Sequence, residues 1–322
     1  MTWLVWRQYR IQGAIALAVL AASATLVLVS GFHVMSVWHS IITDCAGNTS
    51  CEQQQPLGNV VGNDVRVLSV MVPVVLGMLW GAPLVAHELE SRTSDWAWAQ
   101  SVTRTRWLAV KAGWLLLAAA VCGGVVAALV TWVSGPRNAQ QGGVFASNNF
   151  FETQGIVPIG YTVFAMALGI AAGALFRRTL PAIAVTLGAF IGVRLLFDND
   201  IRPHYMTAVT TYTSLTSNFS PNGAWQLASG MAGPNGQQLA QNFNDGPVFN
   251  GVPISSFPHA CQSLANLSTA NQCLAAHGYR AFLTYQPGSR YWAFQGIETG
   301  IFVLMAALLI AVTLVVLSRR DA

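Results

Sequence analysis

Glu88, Glu90, Arg92, Asp95, Arg104 and Arg106 alternate in sign along one stretch, Gly81 to Lys111, that also carries Trp96, Trp98 and Gln100. Residues of these types make polar contacts and aromatic anchors, the chemistry of docking rather than of bond-breaking. Thr93 or Ser94 has the side-chain oxygen needed to cap a short helix holding Trp96, Trp98 and Gln100. A short, rigid element of this kind suits a membrane domain that receives a push from a partner in the aqueous phase, although charge alone is common in any inner loop.

Recognisable catalytic patterns are missing. There is no G-x-x-x-x-G-K-[ST] phosphate loop, and the sole lysine, Lys111, stands at the start of an apolar run. The chain therefore has no such cradle for a nucleotide. His87-Glu88 is not followed by a second histidine at the zincin spacing, and no G-x-S-x-G elbow occurs. His33, His39, His204, His259 and His277 are scattered and read as solvated or structural.

Two charges fall where charge is expensive. Arg194 and Glu298 lie inside apolar runs, and an ionised group within a bilayer costs about 2.5–3.5 kcal/mol on insertion scales. By helical rise, both sit roughly 5–10 Å below the outer interface. We expect them to approach one another, within or between subunits, next to the outer gate. The plainer alternative is that Arg194 reaches up to the headgroups while Glu298 hydrogen-bonds a neighbouring helix.

The elements that must position these residues follow from composition. Of 322 residues, 53% are hydrophobic and only 9% charged, and the mean hydropathy is +0.49. A soluble domain needs about 25% charged residues to solvate its surface, so most of this surface must face lipid. Six segments approach the roughly 20 helical residues that span about 30 Å of hydrocarbon. They run from Gly13 to Met35, Val67 to Ala86, Trp107 to Trp132, Pro158 to Phe176, Pro181 to Phe197 and Tyr291 to Leu317. Lipid obliges each backbone to satisfy itself, so these read as helices.

Arg177 and Arg178 stop the fourth run, Pro181 opens the fifth, and Arg319 with Arg320 stops the sixth. The fourth and fifth must form a hairpin. The expectation is an all-α polytopic membrane protein with six transmembrane helices and a large extracellular loop before the last.

Arginine placement sets the orientation. With the N-terminus inside, Arg7, Arg10, Arg92, Arg104, Arg106, Lys111, Arg177, Arg178, Arg319 and Arg320 all fall on the inner face. The outer side holds Arg66, Arg137, Arg194, Arg202, Arg280 and Arg290 over many more residues, which is the positive-inside pattern. Both termini are expected in the cytoplasm. The pI near 8.9 then reflects topology and anionic lipid, with no sign of nucleic-acid binding.

Residues 1–12 read as an interfacial helix, with Trp3 and Trp6 at headgroup depth and Arg7 and Arg10 against anionic lipid; an ordinary aromatic anchor is the alternative. Arg7 and Arg10 before Ala22-Ser23-Ala24 also resemble a secretory leader. The apolar run continues past that point, however, and cleavage would leave an odd number of spans.

Cys45 and Cys51 share the first outer loop, and Cys261 and Cys273 the last, which suggests two local disulfides on the oxidising side. Spacing alone leaves crossed pairing and free thiols open. Neither pair has the spacing of a zinc site, and Cys122 reads as a small core residue. Residues 198–290 are too long for a simple connector and read as a small cap. The sequons at Asn48, Asn218 and Asn266 are formal matches. Gly77 and Gly81, and Gly169 and Gly173, have GxxxG spacing, which in so glycine-rich a chain does not by itself establish an interface.

The run Glu88-Leu-Glu90, Arg92-Thr93, Trp96, Ala99-Gln100-Ser101-Val102, Arg104 and Arg106-Trp107 resembles permease subunits of ABC-2 type exporters. The segment Tyr285-Gln-Pro-Gly-Ser-Arg-Tyr-Trp-Ala-Phe-Gln-Gly-Ile-Glu298 resembles an actinobacterial branch of that family. The resemblance implies a half-transporter in a bacterial plasma membrane, paired with a second copy or a homologue and driven by two cytosolic ABC ATPase subunits. ATP and Mg would then be bound by those partners, and none in this chain.

In that family the loop between the second and third spans is the coupling helix, here 87–106, with Glu88, Glu90, Arg92, Thr93, Asp95, Trp96, Trp98, Gln100, Arg104 and Arg106 as its contacts. Residues 13–197 would hold helices one to five, 198–290 the cap, and 291–322 the sixth helix and tail. The long final loop departs from many members. Two other classes compete: a membrane-embedded assembly protein whose cap binds an envelope partner, and an ion-coupled transporter, for which mid-span acids are few and no inverted repeat is visible.

Overall fold

The computed structural model describes residues 21, 24–25, 27–41, 43–44, 71–90, 104–140, 142–146, 151–215, 221–239, 248–249, 252–253, 257–262 and 267–319. It divides into two compact units. The first comprises Met1–Gln140, Ser147–Arg202 and Trp292–Ala322; the second, Gln141–Ala146 and Pro203–Tyr291.

The first unit is helical. Its described elements are α1 (Val27–Ile41), a π-helical turn Gly77–Gly81 running into α2 (Ala82–Glu90), α3 (Arg104–Val133), α4 (Gly135–Gln140), α5 (Val157–Phe176), α6 (Thr179–Leu196) and, after the second unit, α9 (Tyr291–Arg319). Among the described residues four stretches, Arg106–Val133, Val157–Phe176, Thr179–His204 and Gly288–Ser318, are long and apolar enough to cross a membrane, and they overlap the last four expected spans. Val27–Ile41 and Met71–His87 are shorter apolar helices that overlap the first two and extend past their expected ends.

α5 is the hub. Two thirds (67%) of its span is buried, against 22% for α9, whose Leu304, Leu308 and Val312 stand exposed as lipid-facing side chains do. The reason lies in its small residues. A Cβ at Gly169 would lie 2.2 Å from the Gly77 carbonyl oxygen, and one at Gly173 would lie 2.6 Å from that of Ala82. The two GxxxG pairs therefore meet each other, backbone against backbone. Gly123 of α3 packs about as closely on Thr162, where a Cβ would lie 2.3 Å from Oγ1, and Gly160 of α5 packs less tightly on Thr299 of α9, at 3.2 Å. Without lipid-excluding hydrophobic drive, helices in a bilayer associate through such close packing.

α5 and α6 form the expected hairpin. Arg177 terminates α5 in the left-handed region (φ 52°), its N–H donating to the Gly173 carbonyl at 3.0 Å, and Arg178 returns to extended backbone. α6 starts at Thr179, two residues before the expected Pro181. Pro181 still falls within the first turn, where a missing N–H is tolerated. Ala82, Ala86, Ala172 and Ala182 cluster where α2, α5 and α6 converge.

The second unit corrects the all-α expectation. Strands β1 (Val209–Thr213), β2 (Trp225–Ala232), β3 (Gln238–Leu239) and β6 (Arg280–Gln286) form an antiparallel sheet of order β1-β6-β2-β3, beside a small ladder of β4 (Val248–Phe249) and β5 (Val252–Pro253). Val209-Thr-Thr-Tyr-Thr213 and Arg280-Ala-Phe-Leu-Thr-Tyr-Gln286 are rich in β-branched and aromatic residues, which fit a pleated half-buried surface. Helices α7 (His259–Gln262) and α8 (Leu267–Ala276) add Cys261 and Leu274 to a core with Met231 and Phe257. Cys261 and Cys273 form a disulfide (Cα–Cα 5.8 Å), the local pairing expected of this loop.

Candidate functional site

The end of the first unit where α6 finishes and α9 begins holds a buried cluster of charge. α6 runs on through a π-helical turn, Phe197–Ile201, into Arg202–His204, so Arg194, Asp198 and Arg202 recur every four residues along one stripe. Such π turns are uncommon and concentrate at functional positions. α9 contributes Glu298 from its third turn, α5 contributes Tyr161, and the segment leading into α5 contributes Phe151 and Glu152.

Arg202 is the centre. Its side chain is fully buried, its Nε donates to Glu298 Oε2 at 2.9 Å, and its Nη2 donates to Glu298 Oε1 at 2.9 Å. That fork matches a carboxylate in a way no lysine can. Nη1 donates to Asp198 Oδ1 at 2.5 Å, Nη2 reaches the Tyr161 hydroxyl at 3.2 Å, and the guanidinium lies over the Phe151 ring at 4.9 Å. Tyr161 in turn donates to Glu298 Oε1. Arg194 donates to Glu152 Oε2 and stacks on the Tyr161 ring at 3.8 Å. Glu152 Oε2 lies 3.9 Å from Arg202, which joins the two pairs into one network.

Among Arg194, Arg202, Glu152 and Glu298 the charges balance, and the third carboxylate, Asp198, is the partly exposed one. Balance matters because an unpaired ion here would carry its full desolvation penalty. Aromatic rings floor the cluster: Phe302 is fully buried and packs on Tyr161, Phe164 and Phe197 at centroid distances of 4.7, 5.2 and 4.8 Å.

A neutral joint lies beside it. The first N–H groups of a helix have no intrahelical acceptor, and Ile156, the residue before α5, has no side chain that can accept. Gln295 of α9 supplies one: its Oε1 accepts from Ile156 N and Val157 N, each at 2.9 Å, while its Nε2 donates to the Phe151 carbonyl at 3.0 Å. A similar arrangement stands at the opposite end of the hairpin. Arg178 has only donors, and Glu90 Oε2, at the end of α2, accepts from Thr179 N at 3.3 Å and Thr179 Oγ1 at 3.0 Å.

Arg194 and Glu298 lie in the same cluster, where, within the one chain, Arg194 is paired with Glu152 and Glu298 with Arg202. The helices' rotation about their axes, which spacing does not report, decides the partners. Glu152, Tyr161, Asp198 and Arg202 were missed. Arg202 was read as an ordinary outer-loop arginine, although the stripe of residues 194, 198 and 202 was visible as a helical period.

Of the expected docking residues, Glu88 and Glu90 end α2, and Arg104 and Arg106 open α3. Arg92, Thr93, Asp95, Trp96, Trp98 and Gln100 lie outside the described residues, as do Trp3, Trp6, Arg7, Arg10, Cys45 and Cys51. Cys122 is a buried free cysteine in α3. In the second unit, Cys261, Cys273 and His277 bring ligand-type atoms within 4.8 Å of one another. The disulfide occupies both sulfurs, so no thiolate is left for a metal.

Nothing in the network resembles a nucleophile with its base; it is a joint between α5, α6 and α9 in which the buried Arg194 Nε has no acceptor. Neither curated proteins nor solved structures match the chain. Residues 17–202 match the family described as ABC-2 membrane transporter related. That match takes in α1 through α6 and more than half of the sequence, and the chain belongs to this family of ABC transporter membrane components.

Proposed function

We propose that the chain is the permease subunit of an ATP-driven exporter in a bacterial plasma membrane. Six helices span the bilayer with both ends in the cytoplasm, and residues 198–290 face outward. A separate cytosolic ABC ATPase binds ATP and Mg, and its closure pushes on the 87–106 segment. A second copy of this permease, or a homologue, completes the helix bundle, which alternates between inward- and outward-open states. An amphipathic cargo (lipid-like, drug or peptide) fits a path between apolar helices.

The observation that carries this reading is the family match over 17–202. The lack of a phosphate loop in the sequence agrees with it, since the energy must then come from a partner. Purification in mild detergent tests it. The chain should retain a soluble ATPase, and alanine at Glu88 and Trp96 should weaken that complex and its ATP turnover. Complex and turnover both untouched by these changes would defeat the coupling assignment.

One observation favours a second reading, an assembly protein that binds an envelope partner: the 203–291 unit has its own sheet, core and disulfide. On that reading no ATPase is retained.

A further inference from the structure

We infer that Glu90 and Thr179 form a clasp through which a displacement of the segment after α2 reaches α6, and so Arg194, Asp198 and Arg202 at its far end. The inference rests on the permease reading and assigns a positioning role within it.

The clasp has a physical reason to exist. α6 begins without a cap of its own, because Arg178 carries no acceptor. One carboxylate oxygen of Glu90 takes both donors of Thr179, the backbone N–H and the hydroxyl. A negative group at that position is also favoured by the helix dipole. Glu90 is the last residue of α2, so the chain leaving the clasp enters 91–103 directly, ahead of Arg104 in α3.

What lies behind the clasp is stiff. α2 is held to α5 by the glycine pairs Gly77/Gly81 and Gly169/Gly173, and to α6 through Ala82, Ala86 and Ala182. α6 is a continuous 18-residue helix, about 27 Å at 1.5 Å per residue. Its other end is fastened to α9 by the Arg202–Glu298 fork. Glu90 is exposed, so the two hydrogen bonds are readily exchanged for water, as a joint that re-forms in each cycle requires.

Thr179→Val removes the hydroxyl donor at nearly constant volume and leaves the backbone N–H in place; Thr179→Ser keeps the hydroxyl. The readout is peptide-resolved maleimide labelling of Asn199→Cys, an exposed position beyond α6, in the permease–ATPase complex with and without ATP, Mg and vanadate. The expected result is an ATP-dependent change in labelling rate that Thr179→Val shrinks by about threefold, within the usual range for coupling residues. ATP turnover should stay at its starting value, and Thr179→Ser should restore the change. In a Glu90→Gln background, Thr179→Val should have little further effect.

An undiminished labelling change in Thr179→Val, with the ATPase bound, overturns the clasp alone. So does full additivity with Glu90→Gln. Failure of the unaltered chain to bind any ATPase overturns the permease reading and the clasp together.

Discussion

The two ends of the α5–α6 hairpin solve one problem in opposite ways. At each, a helix begins beside a residue that cannot cap it, Ile156 or Arg178, and a side chain from another helix supplies the acceptor. At the α9 end the acceptor is Gln295, fully buried, neutral and bonded three times, next to an ion network that is also buried. At the α2 end it is Glu90, exposed, charged and bonded to one residue. Burial decides the difference. A polar group withdrawn from water must keep its partners, whereas an exposed one exchanges them for water at little loss. One end is a permanent joint and the other a releasable one.

The largest expected effect comes from the buried side. Arg202→Met strips Glu298 and Asp198 of their shared cation and should destabilise the chain by about 3–5 kcal/mol, the scale of an orphaned buried ion. Thermal unfolding in detergent measures it, and a loss under 1 kcal/mol would mean that water reaches the cluster. Glu298→Leu combined with Arg202→Met should recover part of that loss, because both charges are then gone.

Next, Gln295→Leu leaves the N–H groups of Ile156 and Val157 without that acceptor and should cost about 1–3 kcal/mol. Faster amide exchange at Ile156 and Val157 would localise the loss. Gly169→Ala probes the region between the two ends: its Cβ meets backbone at 2.2 Å, so α2 must back away from α5. Overpacking of that kind costs about 1–3 kcal/mol, and measured neutrality would show that the helices separate freely.

Glu90→Ala should shift stability by under about 1 kcal/mol, the value of an exposed charged contact, while changing coupling. Raising salt should erode the Glu90 contribution and spare that of Arg202, since screening acts on exposed charge. Equal salt sensitivity at both ends would collapse the contrast between them.

Much of the fold was legible because its determinants are local. Apolar run length located four described spans within a few residues, and the closeness of Cys261 and Cys273 in the chain anticipated their disulfide. The paired arginines marked the α5–α6 turn. The sheet in the second unit went unread because its strands pair residues far apart in sequence, Val209 with Tyr285 for example. In the candidate site, transfer cost singled out Arg194 and Glu298, but not Glu152 and Arg202, with which the fold pairs them. Glu152 sits in a connector, and Arg202 falls just past the apolar run, where an arginine looks ordinary.

The glycines make the same division plain. The sequence by itself determined that helices of this chain could approach closely, since GxxxG spacing is a property of one helix. That Gly77/Gly81 faces Gly169/Gly173 was decided only in the tertiary structure. Likewise, hydropathy alone marks an ion among apolar residues as one that needs a counter-charge, a polar partner or the headgroups. Which one it finds depends on how α5, α6 and α9 rotate against one another, and that rotation is set by the packing of all three at once.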